Sequence, residues 1–362
     1  MKQGKNITEL AQELDRQVKS RKDFIATTDA LAMRHEKEQG EVGFEYGKLV
    51  LDGLNGSGKS VNDFAHGQFS SELGIPKKYY DRMKTEAPNL LVNNVNHWLH
   101  NEPKRRLVRT LDGRVRAFLS DKYRPLDNFD LASTILPVFA DRGAQVESSE
   151  LTETRLYLKA TLPTMTATIT GSRQKGDIVT AGLVVSNSEV GAGALRIEPM
   201  IYRLVCLNGM IAADSTLRKY HVGKAADGDG VFEYLSTETR QADDKAFWLK
   251  ARDVVRAAFN EVVFNALVKK IEDATQERIG TKLETFVEDV TERFTLPEGT
   301  REGILRYLIE GGDLSRWGAV NALTAASQDV ESYDLATEME RAGGKVLELA
   351  PSEWKDLAQV AA

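Results

Sequence analysis

The chain has 362 residues, is 41% hydrophobic and carries 48 Lys and Arg against 54 Asp and Glu, a formal charge of −6. That length and apolar content support a sizeable core and roughly two domains, with three as the upper expectation. No apolar run reaches the ~18–20 residues of a membrane span, the opening residues lack the apolar centre of a signal peptide, and the single cysteine, Cys206, excludes an internal disulfide or a multi-cysteine zinc site, so a cytoplasmic setting is expected.

Residues 1–38 are polar and helix-compatible, with Leu10, Leu14 and Val18 four apart, and predict a helical arm over 1–40. Residues 42–52 predict a strand. A Gly/Ser/Asn loop follows at 53–60, and Asn62 or Asp63 is placed to cap a helix through about residue 73 that Gly74 ends. Pro76 then opens a helix over Lys77–Lys84.

Residues 104–124 form a basic ribbon inside this acidic chain. Lys104, Arg105, Arg106, Arg109, Arg114, Arg116, Lys122 and Arg124 face only Asp112 and Asp121, a net +6 that leaves −12 for the remainder. Apolar residues alternate with arginines about an Asp112-Gly113 pair, which predicts a β-hairpin. One face is expected to pack on a core while the other presents guanidinium groups to phosphate, with Phe118 and Tyr123 as base-stacking partners. The bland alternative is a charged solvent face of an antiparallel sheet.

A helix is expected over Leu131–Ala140, with Pro137 inside it. Residues 143–206 read as short strands at turn spacing without intervening helices, which argues antiparallel pairing. Arg173 and Lys175 in the turn at 171–176, with Arg218 and Lys219 further on, are expected to extend the basic surface. Asn208-Gly209 reads as a turn, and Cys206 between Val205 and Leu207 as a buried core residue rather than a thiolate paired with His221. From Asp243 to about Ile279 the 3.6-residue periodicity predicts one long helix of the order of 50 Å. Residues 281–362 predict shorter helices broken at Pro297, Gly311-Gly312 and Gly343-Gly344, with twelve acids and six bases from 297 onward.

The sharpest local pattern is Gly53-Leu-Asn-Gly-Ser-Gly58-Lys59-Ser60, which satisfies the phosphate-binding G-x-x-x-x-G-K-[ST] form. Its context argues against a nucleotide site: the preceding strand carries Glu45, Tyr46 and Lys48, and no βα-alternating sheet follows. His97 and His100 are spaced to share a helix face, without an evident third metal ligand. No acid/base pair or nucleophile triad stands out, and no cofactor is called for.

Several separated segments carry a resemblance. They are Leu73-Gly-Ile-Pro-Lys-Lys-Tyr-Tyr80, Ser120-Asp-Lys-Tyr-Arg-Pro-Leu-Asp127, Leu195-Arg196-Ile197 through Arg203-Leu-Val-Cys-Leu-Asn-Gly-Met210, Tyr220-His-Val-Gly223 and Trp317-Gly-Ala-Val-Asn-Ala-Leu-Thr324. In that order, over about residues 40–350, the chain resembles the phage/plasmid-like family built on domain of unknown function 932. The resemblance implies a mobile-element protein and brings no catalytic or ligand residues with it.

The expected architecture is α+β: a central antiparallel sheet with a long packed helix over 41–280, a helical N-terminal arm and an acidic helical region at 281–362. The expected function is single-stranded-DNA binding in phage recombination or replication, with strand annealing by a homo-oligomer as one form of it. The alternatives are a protein-interaction or regulatory factor acting on a host enzyme, and a nucleotide-binding protein using Gly53, Gly58, Lys59 and Ser60. No membrane partner is expected.

Overall fold

The computed structural model describes residues 1–39, 45–212, 237–280 and 282–359. It is an α+β fold in which three antiparallel sheets are built into layers of helices. Helix α1 (Ile7–Ser20) opens with a reciprocal cap: the Asn6 side chain accepts from the Glu9 amide, and the Glu9 carboxylate accepts from the Asn6 amide. Its buried Leu10 and Leu14 anchor it to the main core.

The second half of the expected helical arm is not helical. It forms β1 (Lys22–Thr27) and β2 (Ala32–Gln39). The Phe24-Ile25-Ala26-Thr27 run has strand character and finds a partner in the basic hairpin, with Lys22 opposite Thr110 and Thr27 opposite Arg105. Strand β2 pairs with β3 (Glu45–Asp52), which pairs with the two-residue β4 (Lys59–Ser60). Helices α2 (Asp63–Glu72), α3 (Lys77–Glu86) and α4 (Pro88–Asn101) follow. Asn62 caps α2, and Gly74 adopts the left-handed conformation after it.

The hairpin is β5 (Arg105–Leu111) and β6 (Arg114–Ser120), joined by Asp112 and Gly113 at φ +52° and +75°, the pair of positive angles a tight two-residue turn demands. Its register slips between Arg109 and Thr110, leaving Arg116 as the extra residue of a bulge. Val108, Val115 and Phe118 bury one face against α2–α4, where Phe118 stacks on Phe69 with ring centroids 4.1 Å apart.

Helix α5 (Asn128–Arg142) accommodates Pro137 and ends at Gly143 in the left-handed conformation. The central sheet then runs β7 (Gln145–Leu151), β8 (Leu156–Thr168), β9 (Ile178–Asn187), β10 (Arg196–Arg203) and β11 (Asn208–Ile211), in spatial order β11-β10-β9-β8-β7. Strand β8 is continuous over its 13 residues, longer than the short strands expected in this stretch. Asn208-Gly209 is not the turn: residues 204–207 turn the chain, with Leu207 at φ +50°, and Asn208 starts β11. Cys206 therefore sits exposed on that turn instead of in the core.

One face of this sheet presents Leu156, Leu158, Leu183, Val185 and Ile197 to α5 and to α6 (Thr237–Ala258). The long helix expected from Asp243 to Ile279 is two helices, because Asn260 turns its side chain onto the amides of Val262 and Val263 at 2.8 and 3.2 Å and begins α7 (Glu261–Ala274). Ala251, Val254 and Val255 serve the core under the sheet, whereas Phe264, Leu267 and Ile271 serve a second core with the C-terminal helices. The apolar period runs on through a change of packing partner.

The C-terminal helices are α8 (Leu283–Arg293), α9 (Arg301–Gly311), α10 (Arg316–Ala326), α11 (Tyr333–Leu347) and α12 (Pro351–Ala358). Gly343-Gly344 does not break a helix. It lies within α11, where a Cβ on Gly344 would stand 1.9 Å from the Ile211 carbonyl oxygen, so the glycine permits the helix to lie directly on β11. Helix α11 covers the other face of the sheet through charge: Lys159 Nζ meets Glu340 at 2.5 Å with both side chains fully buried, and Arg341 pairs with Glu198 at 2.6 Å. No helix among the described residues is long and apolar enough to cross a membrane.

Candidate nucleic-acid interface

The hairpin's apolar alternation places Leu107, Arg109 and Leu119 on the face opposite Val108 and Phe118, and that face meets the central sheet's 188–191 loop and the start of α5 instead of water. Arg109 is wholly buried. Its guanidinium donates to Asp23 Oδ1 at 2.9 Å, Asp127 Oδ1 at 2.8 Å and the Glu189 carbonyl at 2.9 Å. Burial works against its charge, and the hydrogen bond to Asp23 and the field of Asp127 more than restore it, so its pKa lies above the ordinary arginine value. Arg116, turned by the bulge, donates to Glu189 Oε2 at 2.7 Å, and Glu189 Oε1 accepts from the Asn128 amide at 2.6 Å. Arg106 is buried against Glu72. Arg124 pairs with Asp243 at 2.5 Å and lies over the Phe247 ring.

These four arginines tie the hairpin to α2, β1, α5, α6 and the central sheet through the protein's own acceptors, although the buried Nε atoms of Arg106 and Arg116 are left without one among the described residues. Lys104, Arg105, Arg114 and Lys122 stay exposed. Arg105 has its nearest carboxylate, Asp121, at 3.8 Å, and Lys104 has Glu102 at the same distance. They fall into two groups. Lys104, Arg105 and Lys122 stand at the open end of the hairpin, and Arg114 stands at its tip, six residue steps or ~20 Å along the strand.

The turn at 171–176 does not extend this surface. Arg173 donates to the Gly312 carbonyl beside the C-terminal helices, and Lys175 is exposed on the same turn. That turn leads into one end of β9, while Glu189 follows the other end, ~30 Å away along the strand. Arg218 and Lys219 lie outside the described residues, as do Tyr220 and His221.

Neither expected stacking aromatic is available. Phe118 is in the core, and the half-buried Tyr123 donates its hydroxyl to the Ser188 carbonyl at 3.2 Å. The open end instead carries Trp98, 46% exposed, in a cleft of about 120 Å³ that it lines with Glu102, Lys104 and Arg106. Sequence reasoning passed over it by treating 97–100 as a histidine pair. Leu91, Val95 and Leu99, four apart, are the buried stripe of α4, and Trp98, three residues after Val95 and seven after Leu91, stands at the edge of that stripe, so spacing alone gives no signal of its exposure. His100 Nε2 donates to the Leu31 carbonyl at 2.8 Å, which leaves its ring a structural role.

The Gly53–Ser60 segment does not form a phosphate-cradling loop. It turns the chain back antiparallel, so that Lys59 and Ser60 pair with Leu51 and Val50 rather than lead into a helix. Two of its glycines answer to close packing: a Cβ on Gly53 would meet the Ala30 carbonyl oxygen at 2.1 Å, and one on Gly58 would meet Asp52 Oδ1 at 2.3 Å. The Ala65 amide at the head of α2 is taken by Asn62.

No curated protein and no solved structure matches this chain. The model of a family defined by a domain of unknown function, DUF932, matches residues 117–343. The match begins inside β6 and takes in the central sheet and most of the C-terminal helices, so the Leu73–Tyr80 segment precedes it. It covers more than half of the chain, and the protein belongs to the DUF932 family.

Proposed function

We propose that the protein binds single-stranded nucleic acid at the open end of the hairpin, with Lys104, Arg105 and Lys122 on phosphates and Trp98 against a base. The observation that carries this reading is the exposed indole of Trp98 sharing a cleft with Lys104, next to cations whose nearest carboxylates stand off at 3.8 Å. A ring that stacks on any base beside a small cluster of cations suits sequence-tolerant contact with a flexible strand, and the hydrogen-bonding edges of the bases stay open for pairing. In this reading the buried arginines hold the surface in place and the exposed ones touch the ligand.

The test is fluorescence anisotropy of a labelled single strand at low salt. Trp98→Ala is expected to weaken binding roughly 10-fold, in line with the worth of one stacked base, and Arg105→Glu to weaken it further. Affinity unchanged in both variants overturns the reading. Strand annealing is a narrower claim, and it requires self-association together with faster pairing of complementary oligonucleotides.

A second reading, docking to another protein, is favoured by the turn after β10. There Leu204, Val205 and Leu207 are 43%, 42% and 53% exposed side by side. Nuclease-resistant capture of a partner that is lost in Leu207→Ser supports it.

A further inference from the structure

A second cleft, of about 310 Å³, opens at the tip of the hairpin, at the opposite end from Trp98. Three arginines line it: Arg114 and Arg116 from β6, and Arg155 from the turn between β7 and β8. Each brings hydrogen-bonding capacity the protein does not use. Arg114 is exposed and makes no ion pair among the described residues. Arg116 is buried, and its Nε has no acceptor although its Nη2 is held by Glu189. Arg155 donates Nη2 to the Ala192 carbonyl, while its Nη1 is buried without an acceptor. The Arg155 guanidinium is seated on Gly193, where a Cβ would come within 2.7 Å of both Nη atoms, so its position is built into the chain.

Two of the carboxylates around the cleft are held by arginines, and the exposed Glu153 accepts a side-chain amide. Glu189 accepts from Arg116 and the Asn128 amide, Glu153 from the Asn62 side chain at 2.7 Å, and Asp112 from Arg16 and Ser20 at 2.6 and 2.5 Å. The unmet demand is therefore for acceptors. Buried donors left unpaired are costly, and a guanidinium recovers most from an anionic oxygen.

We infer that this cleft binds a phosphate monoester, with Arg114, Arg116 and Arg155 donating to its oxygens. Three guanidinium groups arriving from two separate elements match a tetrahedral group offering three oxygens better than a carboxylate offering two. The cleft also has room beyond the phosphate, and Gln17, Asn62, Thr152 and Thr154 line that remainder with amides and hydroxyls but no aromatic ring. That lining suits a hydroxylated carbon skeleton. Two sources share this chemistry: a free sugar phosphate, and the 5′-terminal phosphate of a nucleic-acid strand. The inference is independent of the Trp98 surface.

Isothermal titration of the full chain with ribose 5-phosphate, with ribose, and with short oligonucleotides bearing either a 5′-phosphate or a 5′-hydroxyl tests it at constant ionic strength. Saturable binding that requires the phosphate, and that falls about 10-fold or more in Arg114→Gln and in Arg155→Lys, is the expected result. Arg114 is exposed and unpaired, so Arg114→Gln keeps the fold, and thermal melting of both variants verifies this. Tighter binding of the 5′-phosphorylated oligonucleotide, displaced by ribose 5-phosphate, identifies a strand end as the source. Binding of ribose 5-phosphate without that preference identifies the free ester. No saturable binding of any phosphorylated probe, or binding indifferent to both substitutions, overturns the inference.

Discussion

Arg109→Ala separates a structural arginine from a ligand-binding one. The substitution removes three donors from a fully buried site, leaving Asp23, Asp127 and the Glu189 carbonyl without them. Taken singly, hydrogen bonds involving a charged group are worth about 1.5–3 kcal/mol each, so three sum to roughly 4.5–9 kcal/mol. Two features lower the figure. Asp127 keeps Arg21 at 2.6 Å, and the Asp23 side chain, 36% exposed, recovers water. The expected loss is then about 3–5 kcal/mol, the range for breaking a buried pair by removing one partner. Arg105→Ala is the control: its side chain is exposed and its carboxylate distant, so it should cost no more than ~1 kcal/mol. Urea denaturation of the two variants gives the stability difference, and single-strand anisotropy at a temperature where both are folded gives the binding difference. The reasoning predicts opposite rankings in the two assays. A loss under ~1 kcal/mol for Arg109→Ala, with a fall in affinity equal to that of Arg105→Ala, would refute it.

The same division sets the salt dependence. Three phosphate contacts from Lys104, Arg105 and Lys122 imply a slope of log K against log salt of about −2 for a single strand, whereas all eight ribbon cations on phosphate would give roughly −6, so a salt titration distinguishes them. His66 is buried, its Nδ1 2.8 Å from the Tyr80 hydroxyl, and burial, helped by Lys84, lowers its pKa from 6.5 to about 4. Between those values the unfolded chain holds the extra proton, so stability should fall by about 3 kcal/mol from pH 6.5 to 4, and denaturation midpoints for His66→Gln should lose that part of the pH dependence. Gly344→Ala drives a Cβ into the Ile211 carbonyl and should destabilise by roughly 2 kcal/mol or more; Gly303→Ala in α9, whose Cβ would meet only Ala326 at 3.6 Å, should be neutral or slightly stabilising in the same thermal melts.

Local chemistry was legible wherever a residue type has one structural use. Asn62, Gly74 and Pro76 mark helix ends because capping and positive φ are backbone requirements, and Asp112-Gly113 marks the hairpin for the same reason. The α+β class followed from short strands at turn spacing. Misreadings came where one pattern serves two environments. Gly343-Gly344 reads as a break, yet Gly344 is a contact surface whose reason lies 133 residues upstream in Ile211. The period from Asp243 to Ile279 is continuous although the helix is not, because both halves bury an apolar stripe, each in a different core. At the interface, exposure could not be read from charge: Arg105 and Arg106 are neighbours in sequence, and only the pleat decides that one faces water and the other Glu72.

The ribbon's +6 invited a partner from outside, but an acidic chain holds its own counter-charges. Asp23, Glu72, Asp127, Glu189 and Asp243 come from five places in the sequence and converge on three arginines of the hairpin and on Arg124 just after it. Buried pairs of this kind add little net stability over apolar packing of the same volume, so their value must lie elsewhere. The bulge at Arg109/Thr110 indicates where. A hairpin whose two faces are both buried has no solvent side to fix its register by apolar alternation alone, and a slip of one residue would send Arg109 into the Val108–Phe118 core. Charge pairs with fixed partners exclude that slip, because it would bury guanidinium groups away from every carboxylate. The hairpin is thereby locked between two apolar cores, and its remaining cations are left at its two ends, one beside an exposed indole and the other beside the unpaired donors of Arg116 and Arg155.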